Sequence, residues 1–136
     1  MKAVRLCLVT MMMLSLTWGA VFAQGSHPKK VLTGNVKKVV TVVNPKVWNG
    51  PAPAHLTFTG TIFVNNPPVD VEYTWVRSDG ARGPVLKARI TSAGEGFTDT
   101  WDVGVAKKKM KVWERLEVLS PRKASSNPAV ASVNCK

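Results

Sequence analysis

The sequence predicts an all-β protein, an antiparallel sandwich of seven short strands preceded by a signal peptide. Three observations lead there. The stretch 69–80, VDVEYTWVRSDG, alternates: Val69, Val71, Tyr73 and Trp75 fall on one side of an extended chain, and Asp70, Glu72 and Thr74 on the other. Comparable segments recur at roughly 8–15 residue spacing, divided by Gly, Pro, Asn and Asp turn signals. None carries a convincing helical period. A Trp midway along a central strand is a large apolar body for two sheets to close over. Seven strands around it favour an immunoglobulin-like arrangement.

The N-terminus reads as a secretory leader. Lys2 and Arg5 precede an apolar run that includes Met11, Met12 and Met13, and Val21-Phe22-Ala23 offers small residues at the positions a signal peptidase reads. Cleavage after Ala23 removes 23 of the 136 residues and leaves one domain of 113. The apolar run is short for a span of about 20 residues, and no later segment is apolar enough to cross a bilayer. Secreted or periplasmic localisation is the expectation. Residues 24–35 begin with the polar QGSHPKK and form a flexible lead-in, so the sandwich domain is expected over 36–136.

Each strand has its own signal. Residues 36–43 (VKKVVTVV) are rich in β-branched side chains. Residues 46–53 (KVWNGPAP) form a Gly/Pro-rich connection in which Trp48 caps one end of the core. In 55–64 (HLTFTGTIFV), Leu56, Phe58, Gly60, Ile62 and Val64 share a face, with Gly60 leaving room for Trp75. The 69–77 strand follows the turn Asn65-Asn66-Pro67-Pro68. In 85–91 (VLKARIT), Leu86, Ala88 and Ile90 point inward, while Lys87 and Arg89 point outward to meet Asp70 and Glu72. Over 97–105, Phe97, Trp101, Val103 and Val105 are in phase. Asp99 shares that phase, so either it lies near an edge or the phase breaks there. Residues 106–111 (AKKKMK) form a basic connection. In 112–119, Val112, Leu116 and Val118 fit a strand to which Glu114 is the exception. A Ser/Pro/Lys loop over 120–128 leads to the last strand, 129–135.

Loss of Lys2 and Arg5 with the leader takes the net charge from +11 to +9, all eight acids remaining. Such a balance favours anionic surfaces: lipopolysaccharide, acidic polysaccharide or nucleic acid. Lys107, Lys108, Lys109 and Lys111 are the most distinctive cluster, able to hold phosphate or sulfate by charge alone. Lys29-Lys30 and Lys37-Lys38 could extend it. The first expectation for function is nevertheless a non-catalytic module that contacts a protein or envelope partner through its loops or a sheet surface, with Asp79 and Arg82 in the loop 78–84 as candidates beside the lysine segment. The electrostatic polyanion binder is the alternative. Cys135 is the one cysteine left after cleavage. An intramolecular disulfide is therefore impossible, and an exposed Cys135 could link a dimer.

Catalysis is not expected. Cys135 is one residue from the end, His27 sits in the lead-in and His55 is alone, so no nucleophile–base pair is indicated. Asp70 and Glu72 share one strand face and flank no cleft of the kind a glycosidase needs. Two histidines and one thiol without tight spacing do not make a zinc set. No Asp-rich loop marks a calcium site, and Gly94-x-Gly96 lacks the strand–helix context of a phosphate loop. No cofactor is indicated.

The order of signals resembles a family of small secreted bacterial proteins of unknown function with an immunoglobulin-like fold. The residues that carry the likeness are 50–53 (GPAP), 58–62 (FTGTI), 73–81 (YTWVRSDGA) with Gly83-Pro84, Thr100-Trp101, 113–121 (WERLEVLSP), Ser126-Asn127 and Cys135. The likeness spans about 36–135. It implies a fold and a compartment, and carries no activity or site residues. Proteins that look like this place a cysteine before the second strand, able to pair with the terminal one. Here Ala52 stands at that position, which leaves Cys135 without that partner.

Overall fold

A computed structural model describes residues 34–136; the expected signal peptide and all but the last two residues of the lead-in lie outside them. Two sheets face one another. The first has the order β1-β3-β6, with β1 Asn35–Asn44, β3 Ala54–Asn65 and β6 Gly94–Val103. The second runs β2-β9-β7-β4-β5, built from β2 Val47–Gly50, β9 Ala129–Cys135, β7 Lys109–Ser120, β4 Val69–Arg77 and β5 Leu86–Ile90, with β8 Ala124–Ser125 pairing with β7. The described residues contain strands and no helix.

The alternation that marks each strand also builds the core. From β3, Leu56, Phe58, Ile62 and Val64 point inward; from β4 come Val69, Val71, Tyr73 and Trp75; from β7 and β9 come Val112, Leu116, Val118, Ala131 and Val133. Burying such side chains stabilises the fold by roughly 1.5–3 kcal/mol each. A register shift between Val36 and Lys38 brings both Val36 and Val39 inward although they are three positions apart. Gly60 does make room: a Cβ there would lie 2.7 Å from Leu116 Cδ2 and 3.0 Å from Trp75 Cη2. Thr41 of β1 ties the two sheets together. Its hydroxyl shares a 2.6 Å hydrogen bond with that of Ser126, and both accept from the Leu116 N–H at 3.2 Å.

Four expectations need correction. Leu86 of β5 does not point inward with Ala88 and Ile90 but is 40% exposed. The sandwich has nine strands rather than seven, because the connection 46–53 contains β2 and the loop 120–128 contains β8. The pairing is not wholly antiparallel, since β2 runs parallel to β9 with Gly50 opposite Cys135. Finally, β6 begins earlier, at Gly94, and stops at Val103, so Val105 is exposed instead of core-facing. Gly104, with φ of 113°, turns the chain away there.

Candidate functional site

Strand β7 starts at Lys109, so only Lys107 and Lys108 belong to the basic turn. The reason is pairing. Lys109 and Lys111 face Asn134 and Ser132 in the ladder with β9, and backbone hydrogen bonding there outweighs the modest strand preference of lysine. Alternation along β7 sends Val112, Glu114, Leu116 and Val118 inward. It sends Lys109, Lys111, Trp113 and Arg115 outward.

The pairing of β2 with β9 extends these rows across three strands. Lys111, Ser132 and Val47 form one row, and Lys109, Asn134 and Asn49 the next. Between them lies a shallow groove of about 500 Å³, lined by Val47, Trp48, Asn49, Lys109, Met110 and Asn134, among others. Asn134 Nδ2 donates to Asn49 Oδ1 at 3.0 Å. Trp48 is half-buried against the core, and its Nε1 donates to the Pro51 carbonyl at 3.0 Å.

The turn beneath the groove is tightly held. Lys108 N–H donates to the Val105 carbonyl, and Cys135 N–H donates to the Lys108 carbonyl at 3.0 Å. Gly104 lies so close to Cys135 that a Cβ would come within 2.6 Å of the sulfur. Lys107 adopts φ of 61°, a left-handed conformation that glycine or asparagine takes with less strain. Cys135 itself is 1% exposed. The exposed thiol on which a disulfide-linked dimer depends is therefore absent, because the last strand folds its inward face over the core.

Charge is segregated over the molecule. Asp70 pairs with Arg89, Glu72 with Lys87, Asp79 with Arg77, and Glu117 with Arg82 and Arg115, all on the β4–β5 side or close to it. Asp102 meets His55 at 2.6 Å on the other sheet, both side chains being exposed. None of the eight acids lies on β2, on β9 or within 104–113. Lys107, Lys108, Lys109 and Lys111 thus form a wall of positive charge with no carboxylate partner among the described residues, while Lys46, also unpaired among them, lies apart beside Thr41, Val43 and Pro128.

The other sequence candidates are engaged elsewhere. Asp79 accepts from Ala81 N–H and from the Arg77 guanidinium, and these hydrogen bonds, the backbone one first, lower its pKa. Arg82 donates to Glu117 at 2.9 Å. Their loop is folded onto β4: Thr74 Oγ1 donates to the Gly83 carbonyl at 2.8 Å, and Val76 bridges to Arg82. Asp79 and Arg82 are not brought to the lysine wall.

Glu114 is the residue whose environment the sequence did not reveal. It is inward-facing and 0% exposed, and neither carboxylate oxygen has a hydrogen-bond partner among the described residues. Arg77, opposite it in register, directs its guanidinium to Asp79 and lies 4.0 Å over the Trp101 ring. Burial raises the Glu114 pKa to about 7, reinforced by the Asp99 and Asp79 charges and only partly offset by Arg77. Buried at that depth, it is closed to a substrate.

Among the described residues no group of three or more His, Cys, Asp or Glu converges as a metal set. No helix among them is long and apolar enough to cross a membrane. Fold and surface together define a two-sheet β-sandwich carrying a basic, grooved outer face. No protein-family model matches the chain, and no curated protein matches its sequence.

Proposed function

We propose that this chain is a non-catalytic secreted or periplasmic module that binds an anionic polymer of the cell envelope on its β2–β9–β7 face. The observation that carries this reading is the segregation of charge. Four lysines, two of them on one strand beside a groove, lie where no acidic side chain does. Phosphate, sulfate or carboxylate groups on a partner would displace counterions from that wall, and binding would be driven chiefly by their release. The left-handed conformation of Lys107 supports the same reading, since strained backbone positions cluster at functional turns. An immunoglobulin-like arrangement is part of the proposal. The order β1-β3-β6 against β2-β9-β7-β4-β5, with β2 parallel to β9, supports it, as does the central Trp75.

The test is retention on immobilised heparin and lipopolysaccharide over a salt series, beside the Lys107→Ala/Lys108→Ala/Lys109→Ala variant. Retention should fall steeply with salt and drop in the variant. Elution of both proteins together at low salt would reduce the lysines to a solubility feature.

A second reading has its own observation. Val85 and Leu86 are 54% and 40% exposed at the end of the 78–84 loop, next to a rim of paired charges. That surface suits a protein or envelope partner better than a polyanion. Val85→Asp with Leu86→Asp should then abolish capture of such a partner, while leaving heparin retention intact.

A further inference from the structure

We infer that the polymer bound in the β2–β9–β7 groove is an anionic polysaccharide, whose sugar hydroxyls are read by the Asn49–Asn134 amide pair while Lys109 and Lys111 hold its acidic groups. This rests on the polyanion reading and names its ligand. A purely electrostatic site needs only lysines on a solvated turn. Here two of them continue into a strand, and the groove beside them is walled by groups of a different kind.

Lys109 and Lys111 are alternate residues of β7, so their side chains leave the same face roughly 6.6 Å apart. Asn134 and Asn49 stand beside Lys109 in one cross-strand row, and Ser132 beside Lys111 in the other. A primary amide offers two N–H donors and an acceptor oxygen. The single bond from Asn134 Nδ2 to Asn49 Oδ1 leaves Asn134 Oδ1 an acceptor and Asn49 Nδ2 a donor, with no partner for either among the described residues. A donor and an acceptor held side by side complement two neighbouring hydroxyls of a sugar ring. Val47, 68% exposed at the end of the next row, supplies an apolar contact for the C–H face of that ring. The groove volume, about 500 Å³, is in the range of small-ligand sites and admits a short stretch of chain.

Nucleic acid fits less well. Sequence-tolerant binding of single strands uses aromatic faces on which bases stack. Trp48 is the groove's one aromatic lining residue, and it is half-buried and tied to Pro51. One flank of its ring is taken by its own chain, since a Cβ on Gly50 would lie 3.5 Å from it. Polyphosphate fits less well for another reason: it has no hydroxyl pair for the amides.

The experiment compares three probes: a sulfated polysaccharide, inorganic polyphosphate and single-stranded DNA of matched charge. Dissociation constants are measured from low to physiological salt for the purified protein, for Asn49→Ala/Asn134→Ala and for Lys109→Ala/Lys111→Ala. A thermal melt of each variant verifies folding. The amide variant should weaken polysaccharide binding about 10-fold at every salt concentration without changing the salt slope, because amides release no counterions. It should leave polyphosphate binding unchanged. The lysine variant should flatten the slope for all three probes. An amide variant that binds the polysaccharide as the parent does, or tighter binding to DNA than to the polysaccharide, would overturn this inference and leave the polyanion reading standing. Absence of salt-dependent binding to any probe would overturn both.

Discussion

Replacing Glu114 by Gln should stabilise the protein at neutral and alkaline pH and do little in acid. The carboxyl is fully buried, without a hydrogen-bond partner for either oxygen among the described residues, and its pKa rises from 4.5 to about 7. The sign follows from which state ionises first. Below pH 4.5 the group is protonated in both folded and unfolded chains, so it contributes no penalty. Between 4.5 and about 7 the unfolded chain loses the proton while the folded one keeps it, and stability falls as pH rises. Above 7 the full cost is present, roughly 3 kcal/mol at about 1.4 kcal/mol per pH unit. Gln has nearly the same shape and no charge, so the variant should match the parent near pH 4 and exceed it by up to roughly 3 kcal/mol at pH 8. The assay is urea unfolding of both proteins from pH 4 to pH 8.5, read as the difference in unfolding free energy. Parallel curves, or a gain largest in acid, would refute the reasoning and mean that the buried carboxylate finds compensation.

Three other outcomes are expected. Gly104→Ala should cost about 2–4 kcal/mol in thermal or urea unfolding, since it combines a positive φ with a Cβ 2.6 Å from Cys135 Sγ; Cys135→Ala in the same chain should recover part of the loss, and no recovery would argue against the contact. Lys107→Asn should raise stability by up to about 1 kcal/mol by relieving the left-handed lysine, while lowering retention on heparin; an unchanged retention time would remove Lys107 from the binding wall. Ala52→Cys should bridge to Cys135 in oxidising conditions, because Gly50 lies opposite Cys135 and Ala52 is packed against the core; the gain should be roughly 2–4 kcal/mol, and two titratable thiols in the folded variant would count against it.

Much of the fold was legible because a strand writes its burial into every second residue. The inward row of β3, from Leu56 to Val64, and that of β4, from Val69 to Trp75, read directly from alternation. So did the void at Gly60, since a glycine on an otherwise bulky face implies a close neighbour. Asp99 also obeys its phase: it is half-buried on β6, which forms the edge of its sheet. The outward ladder of Asp70 with Arg89 and Glu72 with Lys87 follows from the same register.

The candidate site was only half legible. Sequence alone determined that lysines cluster just ahead of the segment 112–119, and that short alternating segments must pair into two sheets. It could not place the lysines against Asn49 and Asn134, because β2 is a strand only by virtue of its parallel partner some 85 residues away. Nothing local in KVWNGPAP encodes that pairing. Tertiary structure also decided that Asp79 and Arg82 are neutralised by Arg77 and Glu117, that Cys135 is covered, and that Glu114 is sealed from water. The physical reason is common to all of these. Period-2 alternation specifies which face a residue occupies, but what lies opposite that face depends on contacts between strands distant in the chain. Solvation, charge pairing and groove shape are set by those contacts.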